Sequence, residues 1–305
     1  MLLSAARRRV AELGFDPGSH DREPVPACNL CGSTDRIVIA ESDRYGFDSP
    51  ACACTACGLV FLDPRLTEEE YGRFYRETYR PLVSAFHDRR IDEETVEEDQ
   101  RPYAAGLVRL LEPHVRKGEG ALLDVGGSTG VVAEAVADAF GLTGLVLDPA
   151  PAEASRAARR GLEVVVGTAE TFDPGERRFE VVLLCQTIDH LLDPAAVVAG
   201  LHRLLAPDGT LFVDIVDFRS AYLRHGTVED ALKIDHPFAF TQPTAEAMLA
   251  RAGLVRIAKD LARDGLHVGY VCRAGDADPT ALPSAVSVER MLEELRGLRS
   301  SSAAP

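Results

Sequence analysis

From residue 119 onward, short apolar runs alternate with amphipathic stretches: ALLDVG, VVAEAVADAF, TGLVLD, AEASRAARR, LEVVVG, FEVVLL, a helical stretch near 194–205, and TLFVDIV. No other pattern in the chain constrains its fold as strongly. Strand–helix alternation implies parallel βαβ units, and hence an α/β fold with a doubly wound sheet. An aromatic, His-containing stretch at 218–240 interrupts the alternation, and a helix over 243–252 and strands over 254–260 and 266–273 follow it.

The 305 residues are enough for about two domains. Residues 1–27 read as a frayed helix and a Pro-rich linker, 28–63 as a small cysteine-bearing domain, and 64–118 as a helical linker or lid. The main α/β domain spans 119–275, with 218–240 as a substrate-facing insertion, and 276–305 read as a helix (VSVERMLEELRGLR) and a disordered SSAAP end.

Cys28-Asn-Leu-Cys31-Gly is followed, after 22 intervening residues, by Cys54-Thr-Ala-Cys57-Gly. Two residues between cysteines let both sulfurs of a tight turn face one ion, and two such knuckles make a tetrahedral Cys₄ zinc site. With four thiolates the ion has no open position, so one structural Zn²⁺ per chain is expected from Cys28, Cys31, Cys54 and Cys57. The competing reading is four free buried cysteines. Cys52, Cys185 and Cys272 read as core residues.

The strand ALLDV ends at Asp124 and opens into Gly126-Gly127-Ser128-Thr-Gly130, and Asp148 closes the next strand 18 residues beyond Gly130. A glycine-rich turn after the first strand lets a ligand approach the backbone, and an acid at the end of the second can accept ribose hydroxyls. The dinucleotide fingerprint fails, because Ser128 and Val131 stand where its second and third glycines belong, and no P-loop lysine is present. The pattern suits a nucleoside without a pyrophosphate.

On these motifs the stretch 119–273 resembles a class I S-adenosylmethionine-dependent methyltransferase. LLDVGGSTG is similar to that family's first motif, LVLDP to its second, GTAETF to its adenine-edge loop, LLCQTIDHLLDP to its motif after the fourth strand, and LHRLLAPDGTLFVDI to its later turn. The resemblance implies a Rossmann-like, mostly parallel seven-stranded sheet with helices on both faces. It implies S-adenosylmethionine as cofactor, with Asp124, Gly126, Gly127, Ser128 and Gly130 on its methionine side. Asp148 and Pro149 would then lie at the ribose, Ala169 and Glu170 beside adenine, and Gln186 beneath the cofactor. A zinc ribbon ahead of such a domain resembles a bacterial group that includes sugar C-methyltransferases of deoxysugar pathways. There, His236 with Asp235 would be the base, with His190 as a second base or a hydroxyl ligand. Tyr79, with Tyr75, would be a lid over the substrate or part of the core. Lys233 stands where that group has Tyr, and a counterpart of the group's further C-terminal domain is not expected.

Composition bears on the acceptor. There are 33 Lys+Arg against 48 Asp+Glu, a net charge of −15. Residues 1–60 alone hold six Arg against eight Asp+Glu. That balance opposes nucleic-acid and anionic-membrane binding. With no apolar run of membrane-spanning length and no signal-peptide core, a cytoplasmic location is expected. The expected function is methyl transfer to O or C of a small polar metabolite, sugar-like or specialised, with the oligomeric state left open. The alternatives are a protein or RNA methyltransferase that docks its substrate on the ribbon, and a non-catalytic zinc- and cofactor-binding interaction protein.

Overall fold

The computed structural model describes residues 2–302. The N-terminal part runs through α1 (Leu2–Ala11), β1 (Arg22–Glu23), β2 (Arg36–Ser42), β3 (Asp48–Cys54), β4 (Val60–Leu62), β5 (Arg65–Leu66), α2 (Glu68–Glu77), α3 (Tyr79–His87) and α4 (Glu93–Leu111). There follow β6 (Ala121–Val125), α5 (Val131–Phe140), β7 (Thr143–Asp148), α6 (Pro151–Arg159), β8 (Glu163–Val166), β9 (Phe179–Leu184), α7 (Pro194–Leu204), β10 (Leu205–Val216), α8 (Phe218–His225), β11 (Phe238–Ala239), α9 (Gln242–Arg251), β12 (Leu254–Leu261), β13 (His267–Ala274) and α10 (Ala285–Ser302).

The main sheet has seven strands in the order β12-β13-β10-β9-β6-β7-β8. The pairs from β10 to β8 are parallel, while β13 runs antiparallel to β10 and β12. The expected Rossmann-like sheet is therefore the observed one. Alternation along each buried strand sends side chains to two layers. Leu122, Val146, Val181 and Leu183 pack with α4 and α5. Leu123, Leu147, Val182 and Leu184 pack with α7 and α9. Among the described residues no helix is long and apolar enough to cross a membrane.

Three expectations at the chain's periphery change. The cysteine-bearing segment does not fold apart from the rest: its sheet has the order β11-β4-β3-β2, so β11 from the 218–240 stretch is its edge strand. Its cysteines Cys28, Cys54 and Cys57 share a core with the α7 and α9 layer. Second, α1 is docked rather than frayed. Val10 is buried with Tyr45, Phe47 and Phe86, and Arg9 donates to the carbonyls of Ala85 and Phe86. Third, α10 closes the other face of the small sheet with Val288, Met291, Leu292 and Leu295 against Ile39, Ala51, Val60 and Leu62. Each of the four α10 side chains contributes roughly 1.5–3 kcal/mol on full burial, which is why a helix that reads as a tail is held. Of the SSAAP end, residues 303–305 lie outside the described residues, and Ser301 and Ser302 end α10.

Candidate active site

The turn after β6 is shaped by residues that tolerate left-handed backbone: Gly126 has φ +71° and Gly130 φ +79°. A Cβ on Gly127 would lie 2.7 Å from Asp124 Oδ2, and one on Gly126 would lie 2.6 Å from Thr187 Oγ1. The turn thus lies against the loop after β9. Both carboxyl oxygens of Asp124, and Ser128 Oγ, are buried without a hydrogen-bond partner. Burial, with the Asp148 charge second, pushes the Asp124 carboxyl up to about 8. Asp148 differs, because it accepts from the amides of Ser128 and Ala150 at 2.8 Å each. Burial still outweighs those bonds and raises it to about 6. Pro149 follows it on the surface. Ala169 packs against the core, while the exposed Glu170 accepts from the Leu192 amide at 3.0 Å, which ties the loop of 167–172 to the loop after β9. Gln186 has φ +51° and donates its amide to Asp214 Oδ1 at 2.6 Å.

The tripeptide Ile-Asp-His occurs twice, at 188–190 and 234–236, and the fold brings the two copies face to face. Both isoleucines and both aspartates are buried. The rings of His190 and His236 meet edge to face with centroids 4.5 Å apart. His236 Nδ1 lies 2.7 Å from Asp189 Oδ2, whereas its Nε2 lies 3.5 Å from Asp235 Oδ2 and 3.2 Å from Lys233 Nζ. The carboxylate that orients His236 is therefore Asp189, not the sequence-adjacent Asp235. The reason is geometric: consecutive side chains on a tight turn diverge, and a residue from another loop can meet the ring edge. Burial raises the Asp189 carboxyl, but the charges of His236 and His190 outweigh it and hold it well below the usual range. Asp235 Oδ1 is buried without a partner.

Of the two tyrosines read as a lid or part of the core, Tyr75 near the end of α2 reaches His190, while Tyr79 opens α3. The Tyr75 hydroxyl lies 2.7 Å from His190 Nδ1 and donates to the Asp235 carbonyl at 3.0 Å. Tyr79 meets the edge of Tyr75 at 5.4 Å. A phenol has one proton, so donation to Asp235 leaves the Tyr75 oxygen as acceptor for His190 Nδ1–H. His190 Nε2, 4.0 Å from Asp189 Oδ1, then carries the lone pair. Burial, with the His236 charge second, lowers the His190 pKa from 6.5. Asp189 and Lys233 make contacts that the motifs do not assign. The repeated Ile-Asp-His was the signal available for Asp189.

A cleft of about 480 Å³ lies at the same end of the sheet, where Gln186, Asp214 and Tyr103 border it. Tyr103 donates to Asp214 Oδ2 at 3.0 Å.

The four cysteines come together in the small sheet. Cys28 Sγ and Cys57 Sγ are 3.4 Å apart, Cys31 Sγ and Cys54 Sγ 3.5 Å, and all four fall within 4.8 Å of one another. Both knuckles have the same build. The Gly32 amide donates to the Cys28 carbonyl at 2.8 Å and the Gly58 amide to the Cys54 carbonyl at 2.9 Å. The glycines have φ +75° and +78°. The cysteines are free of disulfides.

The sequence model of the family described as "Methyltransferase domain" matches residues 95–259, more than half of the chain. The chain belongs to this methyltransferase domain family. The matched span of the methyltransferase domain runs from α4 to β12 and so takes in the glycine turn, Asp148 and both histidines. Among its relatives, the ubiquinone biosynthesis O-methyltransferase of Azotobacter vinelandii is 31% identical over 118 residues, 36% of this chain and 50% of that protein. An uncharacterized protein of Mycobacterium tuberculosis is 29% identical over 169 residues, 52% of this chain and 55% of that one. The chain spans about half the length of the curated relatives it matches. A solved S-adenosylmethionine-dependent methyltransferase from Clostridium acetobutylicum superimposes with a TM-score of 0.48 at 13% identity, over 68% of this chain and 99% of that one.

Proposed function

We propose that this chain is an S-adenosylmethionine-dependent methyltransferase that methylates an oxygen or carbon of a small polar metabolite. One observation carries the reading. The glycine turn with its unpartnered Asp124 carboxyl lies against Thr187, which opens the loop bearing Asp189 and His190. A cofactor cradle and a pair of histidine bases therefore adjoin at the ends of the parallel strands, where open α/β sheets bind ligands.

The donor set fits the cofactor. Asp124 and Ser128 offer buried acceptors to an ammonium group, and Asp148 keeps free lone pairs for ribose hydroxyls. Gly126, Gly127 and Gly130 keep the turn open. Bound there, S-adenosylmethionine supplies an electrophilic methyl carbon for in-line displacement.

The chain's own residues handle the proton. His190 Nε2 takes it from the acceptor's O–H or C–H, which leaves the acceptor an electron pair that would displace the cofactor's sulfur, departing as a thioether, from the methyl carbon. Asp189 stabilises the imidazolium that results, and Tyr75 holds the ring. His236, tied to Asp189 and faced by Lys233, is the second base or the ligand of a substrate hydroxyl. Because the pKa of His190 is lowered, the rate holds as pH falls to the ordinary histidine value of 6.5 and drops only below it.

Oxygen is supported as acceptor by the name of the Azotobacter relative. Sugar C-methylation is supported by the ribbon-first order alone, and Lys233 departs from that pattern. A small acceptor is supported by the enclosure of the histidines under Tyr75, and by the pairing of arginines in the N-terminal part with acids: Arg7 with Asp230, Arg22 with Asp48, Arg36 with Asp63. We assign the four cysteines a structural zinc. A tetrahedron with zinc–sulfur bonds near 2.3 Å has edges of about 3.8 Å, close to the spacings seen.

The test is transfer of labelled methyl from S-adenosylmethionine to a panel of small hydroxylated acceptors. His190→Ala is expected to lose at least 100-fold in rate with cofactor affinity kept. Full rate in that variant would overturn the base assignment.

A further inference from the structure

The small cysteine-bearing sheet grips the backbone that carries Lys233, Asp235 and His236. Asp43, in the loop between β2 and β3, is fully buried. Its Oδ1 accepts from the Tyr45 amide at 2.9 Å and the Phe47 amide at 3.0 Å, which closes its own turn. Its Oδ2 accepts from the Ile234 amide at 2.8 Å, 191 residues away in sequence. The next residue repeats the attachment, with the Arg44 amide donating to the Leu232 carbonyl at 3.0 Å. Beyond His236 the same sheet takes over. The Leu62 amide donates to the Pro237 carbonyl at 2.9 Å, and β11 pairs with β4 through Phe238–Phe61 and Ala239–Val60. The lid helix α2 adds two bonds at 3.0 Å, from the Tyr71 hydroxyl to the Ile234 carbonyl and from the Tyr75 hydroxyl to the Asp235 carbonyl.

The main sheet meets this segment mainly through side chains: Asp189 and His190 against His236. Backbone position thus comes from the cysteine-bearing sheet and the lid, and side-chain chemistry from the methyltransferase domain. We propose that Asp43 is a positioning residue: through the Ile234 amide it sets the register of Lys233–His236, and so holds His236 Nδ1 on Asp189. This rests on the reading of His190 and His236 as the acceptor site. A carboxylate is required at 43, because three amide donors from two segments converge on it and two separate oxygens must accept them. The cysteine-bearing sheet is then part of the active site's frame, and its removal would disorder one wall of that site.

Asp43→Asn tests this. Its single carbonyl oxygen can keep the Tyr45–Phe47 turn, but its NH₂ cannot accept from Ile234. In the full-length protein, hydrogen exchange of peptides spanning 230–240 is expected to quicken at least 10-fold, with peptides over 121–148 unchanged. Affinity for S-adenosylmethionine by calorimetry should stay within twofold. The NMR signal of the His236 Nδ1–H, bonded to Asp189 in the wild type, should be lost. Unchanged exchange in 230–240 together with an unchanged His236 signal would overturn the proposal. Should the variant fail to fold, the wild type decides alone: the Ile234 amide must be among the slowly exchanging ones, and fast exchange there contradicts the clamp. Neither readout needs a methyl acceptor, so failure of the clamp is separable from failure of the base assignment.

Discussion

Asp124, the residue we propose for cofactor binding, is held in the fold at a cost to stability. It is fully buried, its oxygens lack partners, and its pKa of about 8 lies far above that of a free aspartate, near 3.9. A carboxyl raised in the folded state contributes stability below its unfolded pKa and loses it as pH rises through the folded value. Asp124→Asn is therefore expected to leave stability unchanged near pH 4, to stabilise the ligand-free protein by about 1–3 kcal/mol at pH 8, and to abolish cofactor binding. Denaturant unfolding at both pH values checks this, and a variant less stable than wild type at pH 8 would contradict it. At this scale the sequence revealed residue types and spacing but not partners. The places of Asp124, Asp148 and the glycines were legible because they are local to two βα turns. Asp189 was not, because its partner His236 comes from a distant loop, and Asp235 stands nearer in sequence but farther from the ring nitrogen that matters.

Among the elements, the βαβ run was legible throughout, since each buried strand and amphipathic helix carries its own period. What escaped were elements too short or too dependent on others. β11 is two residues long and has no pattern of its own; β4 makes it a strand. α10 reads as an isolated helix until the apolar face of β2–β4 is in view. The cysteine knuckles were legible as a motif, and the fold adds that their sulfurs share the core of the α7 and α9 layer. Loss of the zinc we propose there should therefore be felt globally. Metal analysis is expected to find one zinc per chain, and Cys28→Ser to lose it and to destabilise the protein by at least about 3 kcal/mol. Metal-free wild type of unaltered stability would refute the assignment.

For the whole molecule, a charge of −15 and two apparent domains gave only a bias toward small acceptors. The fold turns that bias into an arrangement. The methyltransferase domain supplies the glycine turn, Asp189 and His190, helix α2 supplies Tyr75, and the cysteine-bearing sheet holds Lys233–His236 between them. Domain boundaries drawn along the sequence cannot show this, because the site is assembled from segments that the boundaries separate. The central claim is that the glycine turn, Asp124 and Asp148 form the cofactor site of a working methyltransferase. Calorimetric titration of the purified chain with S-adenosylmethionine tests it most directly. The expected result is saturable binding at one site per chain that Asp148→Ala weakens at least 10-fold, whereas no binding, or binding indifferent to Asp148, would contradict the claim.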